Sequence, residues 1–333
     1  MAGHDIIVIG ASAGGLDPLR TIVAGLPRDL PAAVFIVQHV AATGVSLLPE
    51  LLAHAGELPA FHAHDGMQIE HSHVYVAPPD NHMLIRRGHI HVVRGPKENG
   101  FRPAIDVTFR TAAQSYGPRT IGIVLSGMLD DGTAGLLAIK RRGGVAVVQD
   151  PAEAAYPSMP QSACRYVAVD TTLPAADMSA LIVRLAHTPI IAEGDTLVDE
   201  QLDLEAGISA GDKIALDLAT IIGETVPFSC PDCDGVLVEY YDGDLLRFRC
   251  QVGHVYSRES MFAQHAEMLD RSLWAAFNKL DERAHLAQRL ANDAHRYHDA
   301  SGEQRFTRHL QQLEWQKEQV RQAMLKDDHA SVR

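Results

Sequence analysis

In the first half of the chain, apolar residues fall into short solid runs separated by stretches with three-to-four-residue spacing. The runs 6–9, 33–37, 120–125 and 145–148 are apolar on successive residues, as strands buried on both faces must be. Between them, 16–26 repeats Leu16, Leu19, Ile22, Val23 and Leu26 at helical spacing, and 47–53 and 135–141 carry further helical patches. Strands alternating with helices predict right-handed crossovers and a mostly parallel sheet covered on both sides, a three-layer α/β/α arrangement of doubly wound type. Three shorter runs, 74–77, 83–85 and 89–93, read as antiparallel strands, with a turn at Arg87-Gly88.

The pattern changes near residue 187. Residues 188–228 show few periodic signals and many acids, which predicts a linker holding one short helix around 212–222. Residues 229–256 hold three of the four cysteines. From 257 to 333 a 3–4 spacing through Phe262, Ala266, Leu269, Leu273, Ala276 and Leu280 predicts long helices, the second over about 304–326. The division expected is therefore 1–187, 188–228, 229–256 and 257–333. Charge follows the same line: the chain carries −13 overall, of which −2 lies in residues 1–186 and −11 beyond. That balance argues against a nucleic-acid partner, because a polyanion repels it. No apolar run approaches the ~20 residues of a membrane span, and the start lacks a basic n-region, so the expectation is a cytoplasmic protein with no membrane insertion.

Ligands in an open α/β sheet bind beyond the carboxyl ends of its strands. After the first strand comes Gly10-Ala11-Ser12-Ala13-Gly14-Gly15, after the second Gln38-His39, and after the third Ser126-Gly127-Met128-Leu129-Asp130-Asp131-Gly132. A serine, a histidine and an acid pair would thus share one rim. A serine hydroxyl needs a base within hydrogen-bond reach, and the base needs an acid to fix its tautomer. Backbone N–H groups around Ala13 and Gly14, at a helix start, suit a developing oxyanion. Ser12 could alternatively cap the helix. A dinucleotide fingerprint would place glycine at position 12, which counts against nucleotide binding and an organic cofactor.

Cys230-Pro231-Asp232-Cys233 and Cys250…His254 are two knuckles either side of an alternating hairpin, 236–241 and 245–248, around Asp242-Gly243-Asp244. That spacing predicts a zinc ribbon ligated by Cys230, Cys233, Cys250 and His254, with four protein ligands and so a structural metal. Cys164 stands apart and is expected to be an ordinary buried residue. The pair His89-x-His91 could chelate, but with His62, His64, His71 and His73 it reads better as surface histidine.

The segments IGASAGG (9–15), VQHV (37–40), DG…HVYVAPPDNHM (65–83), RPAIDVTF (102–109) and LSGMLDDGTAGL (125–136) resemble, in order and spacing, the catalytic domain of CheB-type protein-glutamate methylesterases. The resemblance implies hydrolysis of glutamate γ-methyl esters on a chemoreceptor-like signalling protein, with glutamine deamidation in some members. It places the nucleophile on Ser12, the base on His39 and the acid on Asp131, which immediately precedes the motif's glycine. Met128 matches a residue whose backbone could help hold the oxyanion. Well-known members have threonine where this chain has Ala13, and they begin with a receiver domain; here the catalytic strand comes first, so control by phosphorylation of this chain is not expected. The ribbon followed by a Trp-bearing helix resembles extensions of some receiver-less relatives. Two readings follow: a serine methylesterase with a structural zinc ribbon, whose helices suit self-association, or a non-catalytic signalling adaptor that binds through ribbon and helices.

Overall fold

The computed structural model describes residues 3–190, 199–219 and 223–327. The chain divides into two units, Met1–Met261 and Phe262–Arg333.

The first unit is built on β1 (Ile6–Ala11), α1 (Leu16–Ala24), β2 (Ala33–Gln38), α2 (Leu48–Ala55), β3 (Ala60–His62), β4 (Val74–Val76), β5 (His82–Arg86), β6 (His89–Val93), α3 (Ile105–Tyr116), β7 (Thr120–Val124), α4 (Thr133–Arg141), β8 (Val145–Gln149), α5 (Ser158–Tyr166), β9 (Thr171–Leu173) and α6 (Ala175–His187). Seven strands form one sheet in the order β3-β4-β2-β1-β7-β8-β9, with every pairing parallel. Alternate residues of β1 feed two cores. Ile6 and Val8 meet Phe109, Leu136 and Met159 on one face; Ile7 and Ile9 meet Leu19, Ile22, Met178 and Ile182 on the other. That is why the central strands have no polar phase. The chain winds outward in both directions from β1, so the β1/β7 boundary is the switch point of the sheet.

Three expectations are corrected. Residues 74–76 are not antiparallel: they pair in parallel with both β2 and β3. A three-residue strand carries no periodicity from which direction could be read. The antiparallel hairpin is β5–β6 alone, turning at Arg87-Gly88. Helix α3 was hidden because nine of its twelve residues are buried, charged ones included, which erases amphipathic spacing. The stretch taken for a linker is largely structured: α7 (Glu200–Ser209) buries Leu202, Glu205, Ala206, Ile208 and Ser209, and α8 (Lys213–Ala219) follows it. The expected helix's last residues, 220–222, lie outside the described ones. Cys164 is exposed on α5 rather than buried.

A four-stranded antiparallel sheet completes this unit: β10 (Glu224–Ser229), β11 (Val236–Asp242), β12 (Leu245–Cys250) and β13 (Val255–Ser257). It packs on the segment preceding α3: Asn99 N–H donates to Val255 O at 2.7 Å, and Glu98 accepts from Arg110 of α3 and from Arg247 of β12. Helix α9 (Arg258–Arg296) starts here.

The second unit contains most of α9 and α10 (Ala300–Asp327). Ala284, Ala287 and Leu313 form its small core, with Lys317 bridging to Asp281 at 3.0 Å. Phe262, Leu269, Trp274 and Trp315 remain exposed. Among the described residues no helix is long and apolar enough to cross a membrane.

Candidate active site

Ser12 follows β1, His39 follows β2, and Asp131 lies in the loop after β7. These are adjacent strands, so their carboxyl ends open onto one crevice. Ser12 is fixed by its N–H, which donates to Ser126 O at 2.9 Å across the β1/β7 boundary. Helix α1 begins only at Leu16, with Gly15 as its cap residue, so the Ser12 hydroxyl is not a helix cap. Two glycines make the approach feasible. Gly14 has φ +70°, which costs a side chain dearly. A Cβ on Gly127 would sit 2.0 Å from Met159 Sδ and 2.8 Å from Ser12 Cβ.

The three side chains form one hydrogen-bonded series. Ser12 Oγ lies 3.0 Å from His39 Nδ1, and His39 Nε2 lies 2.8 Å from Asp131 Oδ2. A carboxylate accepts, so Nε2 carries the proton and Nδ1 presents its lone pair to the serine hydroxyl. The ring is reversed relative to the serine-protease triad, where Nε2 faces the serine. Phe101 stacks on it at 3.7 Å with a 10° interplanar angle, restricting rotation out of line.

Asp131 is almost wholly buried, yet its carboxylate is well supplied with donors. Oδ2 also accepts from Ile105 N–H at 2.7 Å; Oδ1 accepts from Gly132 N–H at 3.0 Å, Asp106 N–H at 3.2 Å and Asn99 Nδ2 at 3.0 Å. Burial opposes ionisation, but the hydrogen bond and charge of His39, with the Ile105 amide, outweigh it and hold the carboxyl below its usual range. Asp130 does not reach His39. It accepts from Ser257 Oγ at 2.6 Å and Ser260 Oγ at 3.1 Å, and burial pushes its pKa up.

Of the backbone N–H groups from 12 to 15, those of Ser12 and Gly15 are taken, by Ser126 O and Ser12 O. Those of Ala13 and Gly14, like that of Met128, donate to no acceptor among the described residues. A cleft of about 320 Å³ opens beside His39, lined by Leu16, Val45, Leu47, Leu51 and Pro79. Sequence reasoning assigned no role to Gln38, Asn99 or Phe101. Gln38 Nε2 donates to Ser12 O at 2.8 Å. The Asn99-Gly100 dipeptide was a legible turn signal, and Asn99 does have φ +55°.

The ribbon ligands also converge. The donor atoms of Cys230, Cys233, Cys250 and His254 all lie within 4.8 Å of one another. Cys233 Sγ–Cys250 Sγ is 3.7 Å, and His254 Nδ1 lies 3.6 Å from Cys230 Sγ and 3.5 Å from Cys250 Sγ. Zinc at its usual bond lengths spans tetrahedral edges of about 3.8 Å between sulfurs and about 3.5 Å from sulfur to nitrogen. The four residues therefore fit a tetrahedral metal ion. Tyr256 OH contacts Cys230 Sγ at 3.5 Å and donates to Asp232 at 2.6 Å, an outer layer that orients the ligand.

A hydroxyl, an imidazole and a carboxylate in hydrogen-bonded series at the switch point of a parallel sheet define an α/β protein of the hydrolase class. The chain belongs to the CheB methylesterase family, whose pattern its residues 7–182 match. A putative protein-glutamate methylesterase/protein-glutamine glutaminase of Leptospira interrogans is 38% identical over 183 residues, 55% of this chain and 95% of that one. Proteins named protein-glutamate methylesterase/protein-glutamine glutaminase from Methanosarcina mazei and Geobacter metallireducens are 36% and 37% identical, and the chain spans 52% of the length of each. The crystal structure of the Thermotoga maritima CheB methylesterase catalytic domain aligns with a TM-score of 0.53 and 33% identity, covering 56% of this chain and all of that one. These matches cover 54–56% of this chain.

Proposed function

We propose that the chain is a serine hydrolase that removes methyl groups from glutamate γ-methyl esters of a signalling protein of the chemoreceptor kind, with glutamine deamidation as a second outcome of the same site. The observation that carries this reading is the unbroken series Ser12–His39–Asp131 at 3.0 and 2.8 Å. His39 Nδ1 takes the Ser12 proton as Oγ attacks the ester carbonyl carbon. The oxyanion is held by the uncommitted N–H groups of Ala13 and Gly14, assisted by that of Met128. The tetrahedral adduct collapses as the imidazolium returns the proton to the departing methoxide, releasing methanol. Water, deprotonated by His39, then attacks the acyl carbonyl and frees Ser12 and the glutamate carboxylate. Asp131 keeps the Nε2 tautomer and balances the imidazolium charge. A linear methyl-ester side chain suits the cleft, whose walls are aliphatic at Leu16, Val45, Leu47, Leu51 and Pro79 and polar at Gln38, Thr43 and Ser46.

The ribbon's four ligands leave a metal no open position, so zinc there would supply folding energy rather than chemistry. The deciding experiment is methanol release from methylated receptor fragments. Ser12→Ala should lose on the order of 10⁴-fold or more in kcat with an unchanged melting temperature. Turnover surviving in that variant would exclude Ser12 as nucleophile.

A further inference from the structure

Between the ribbon and the catalytic acid stands one side chain, Asn99, fully buried and in the left-handed backbone region at φ +55°. Its Nδ2 donates to Asp131 Oδ1 at 3.0 Å and to Asp106 Oδ2 at 3.1 Å. Its Oδ1 accepts the Ser257 N–H of β13 at 2.9 Å, and its own N–H donates to Val255 O of the same strand. The carboxamide therefore has both ends occupied, one by the ribbon and one by the acid. Because Oδ1 must face a donor and Nδ2 an acceptor, the amide cannot flip without losing all three side-chain bonds.

We propose that Asn99 is a positioning residue through which the ribbon holds the catalytic acid, so that the extension is a working part of the active site and not an appendage. The proposal rests on the esterase reading above. The chemistry gives a reason for the device. Asp131 must stay ionised and in the imidazole plane although it is buried beside a second carboxyl, Asp106, whose pKa burial and the Asp131 charge raise well above the usual range. An N–H donor shared between the two keeps them from repelling and fixes the Oδ1 edge of Asp131. The Oδ2 edge is thereby left aimed at His39 Nε2. The donor needs its own anchor, and β13 provides it. Ser257 and Ser260 bind neighbouring Asp130 in the same way, so both members of the acid pair are tied to the extension.

Glycine accepts φ +55° without strain, so Asn99→Gly removes the carboxamide while sparing the backbone. Its kcat for methanol release should fall about 10–100-fold with KM unchanged, the usual size of an orienting-partner loss. Asn99→Asp preserves shape and tolerance of the left-handed region but sets an acceptor against Asp131. With an oxygen facing an oxygen the Oδ1 edge of Asp131 loses its side-chain donor, so kcat should fall at least as far as in Asn99→Gly, again with KM unchanged. Ser257→Pro deletes the N–H that anchors Oδ1 but also the hydroxyl that Asp130 accepts, so Ser257→Ala, which loses the hydroxyl alone, is its control: kcat should be lower in Ser257→Pro than in Ser257→Ala in the wild-type background and equal in the two when Asn99→Gly is present. Wild-type kcat in both Asn99 variants, or a loss confined to KM, would overturn the proposal. So would the same Ser257→Pro deficit relative to Ser257→Ala with and without Asn99→Gly, which would leave Asn99 unconnected to the ribbon. Labelling of Ser12 by a fluorophosphonate separates the two levels. If the wild-type chain is phosphonylated at Ser12, with loss of fluoride, and the Asn99 variants are phosphonylated equally fast, the positioning role alone is refuted; if the wild-type chain is not phosphonylated, the esterase reading is refuted and this inference with it.

Discussion

At the residue scale, the site depends on how closely backbone can approach Ser12. Gly127→Ala drives a methyl group into Met159 Sδ and the Ser12 Cβ. Overpacking of this kind typically costs about 1–3 kcal/mol, so thermal melting should show a loss of that size. Methanol release should fall further than stability does, because the displaced atom belongs to Ser12; a variant that melts lower but turns over at the wild-type rate would contradict this. Ser12, His39 and the acid pair could be picked out of the sequence because each lies in the short segment that follows a solid apolar run. Asn99, Gln38 and Phe101 could not be assigned, since their roles come from long-range partners: Asn99 meets Asp131 and Ser257, 32 and 158 residues away. Even the choice between Asp130 and Asp131 came from the family motif and not from any physical asymmetry in the sequence, as the two differ only in what the fold brings to each.

At the element scale, the ribbon's core is small: Cys230, Leu237, Phe248, Cys250, Tyr256 and Met261. So few apolar groups offset little of the entropy of ordering four strands, and a metal held by Cys230, Cys233, Cys250 and His254 would supply the difference. Cys233 is the exposed member of that set. Cys233→Ser should therefore cut the zinc content of the purified chain, measured by atomic emission, and lower its melting temperature, while the mutated side chain itself has room. Full zinc occupancy in that variant would remove Cys233 from the ligands. The two knuckles and the hairpin were legible because cysteine spacing and alternation act locally. The central strands were legible for a related reason, burial on both faces. Helix α3 and the structured part of 188–228 were not, because polar residues such as Arg110, Glu205 and Ser209 are buried there in ion pairs and hydrogen bonds, and hydrophobic periodicity cannot register them.

At the scale of the whole molecule, the catalytic sheet and the ribbon are joined by a buried charge network. Glu98 is paired with Arg110 of α3 and Arg247 of β12; Glu205 of α7 pairs with Arg249, and Asp106 faces Arg247. Burial alone would raise the Glu98 pKa, but the two guanidinium groups hold it down to about 2, and Glu205 is also lowered. A depressed carboxylate stabilises the fold above its ordinary pKa, and that contribution is lost as pH falls through the depressed value. Asp106 and Asp130, which burial pushes up, run the opposite way, and their change is complete near the ordinary value of 3.8. Net stability should therefore drop between about pH 4 and about pH 2, followed as the urea midpoint at each pH. Glu98→Gln removes the carboxylate that two buried arginines share, leaving Arg110 only the more distant Glu205 and Arg247 only Asp106, and should cost about 3 kcal/mol or more at neutral pH; a loss below about 1 kcal/mol would mean that the network does not join the two parts. One feature of the sheet bears on how such an enzyme can diversify. Ala11 and Gln38, the residues just before the serine and the histidine, are register partners on neighbouring parallel strands. The gap between hydroxyl and imidazole is thus set by the lattice spacing of the sheet, about 4.8 Å, and cannot drift without unzipping the centre of the protein. New substrates can be accommodated by remodelling the loop over residues 40–47, which forms one wall of the cleft and is not held in the sheet's register.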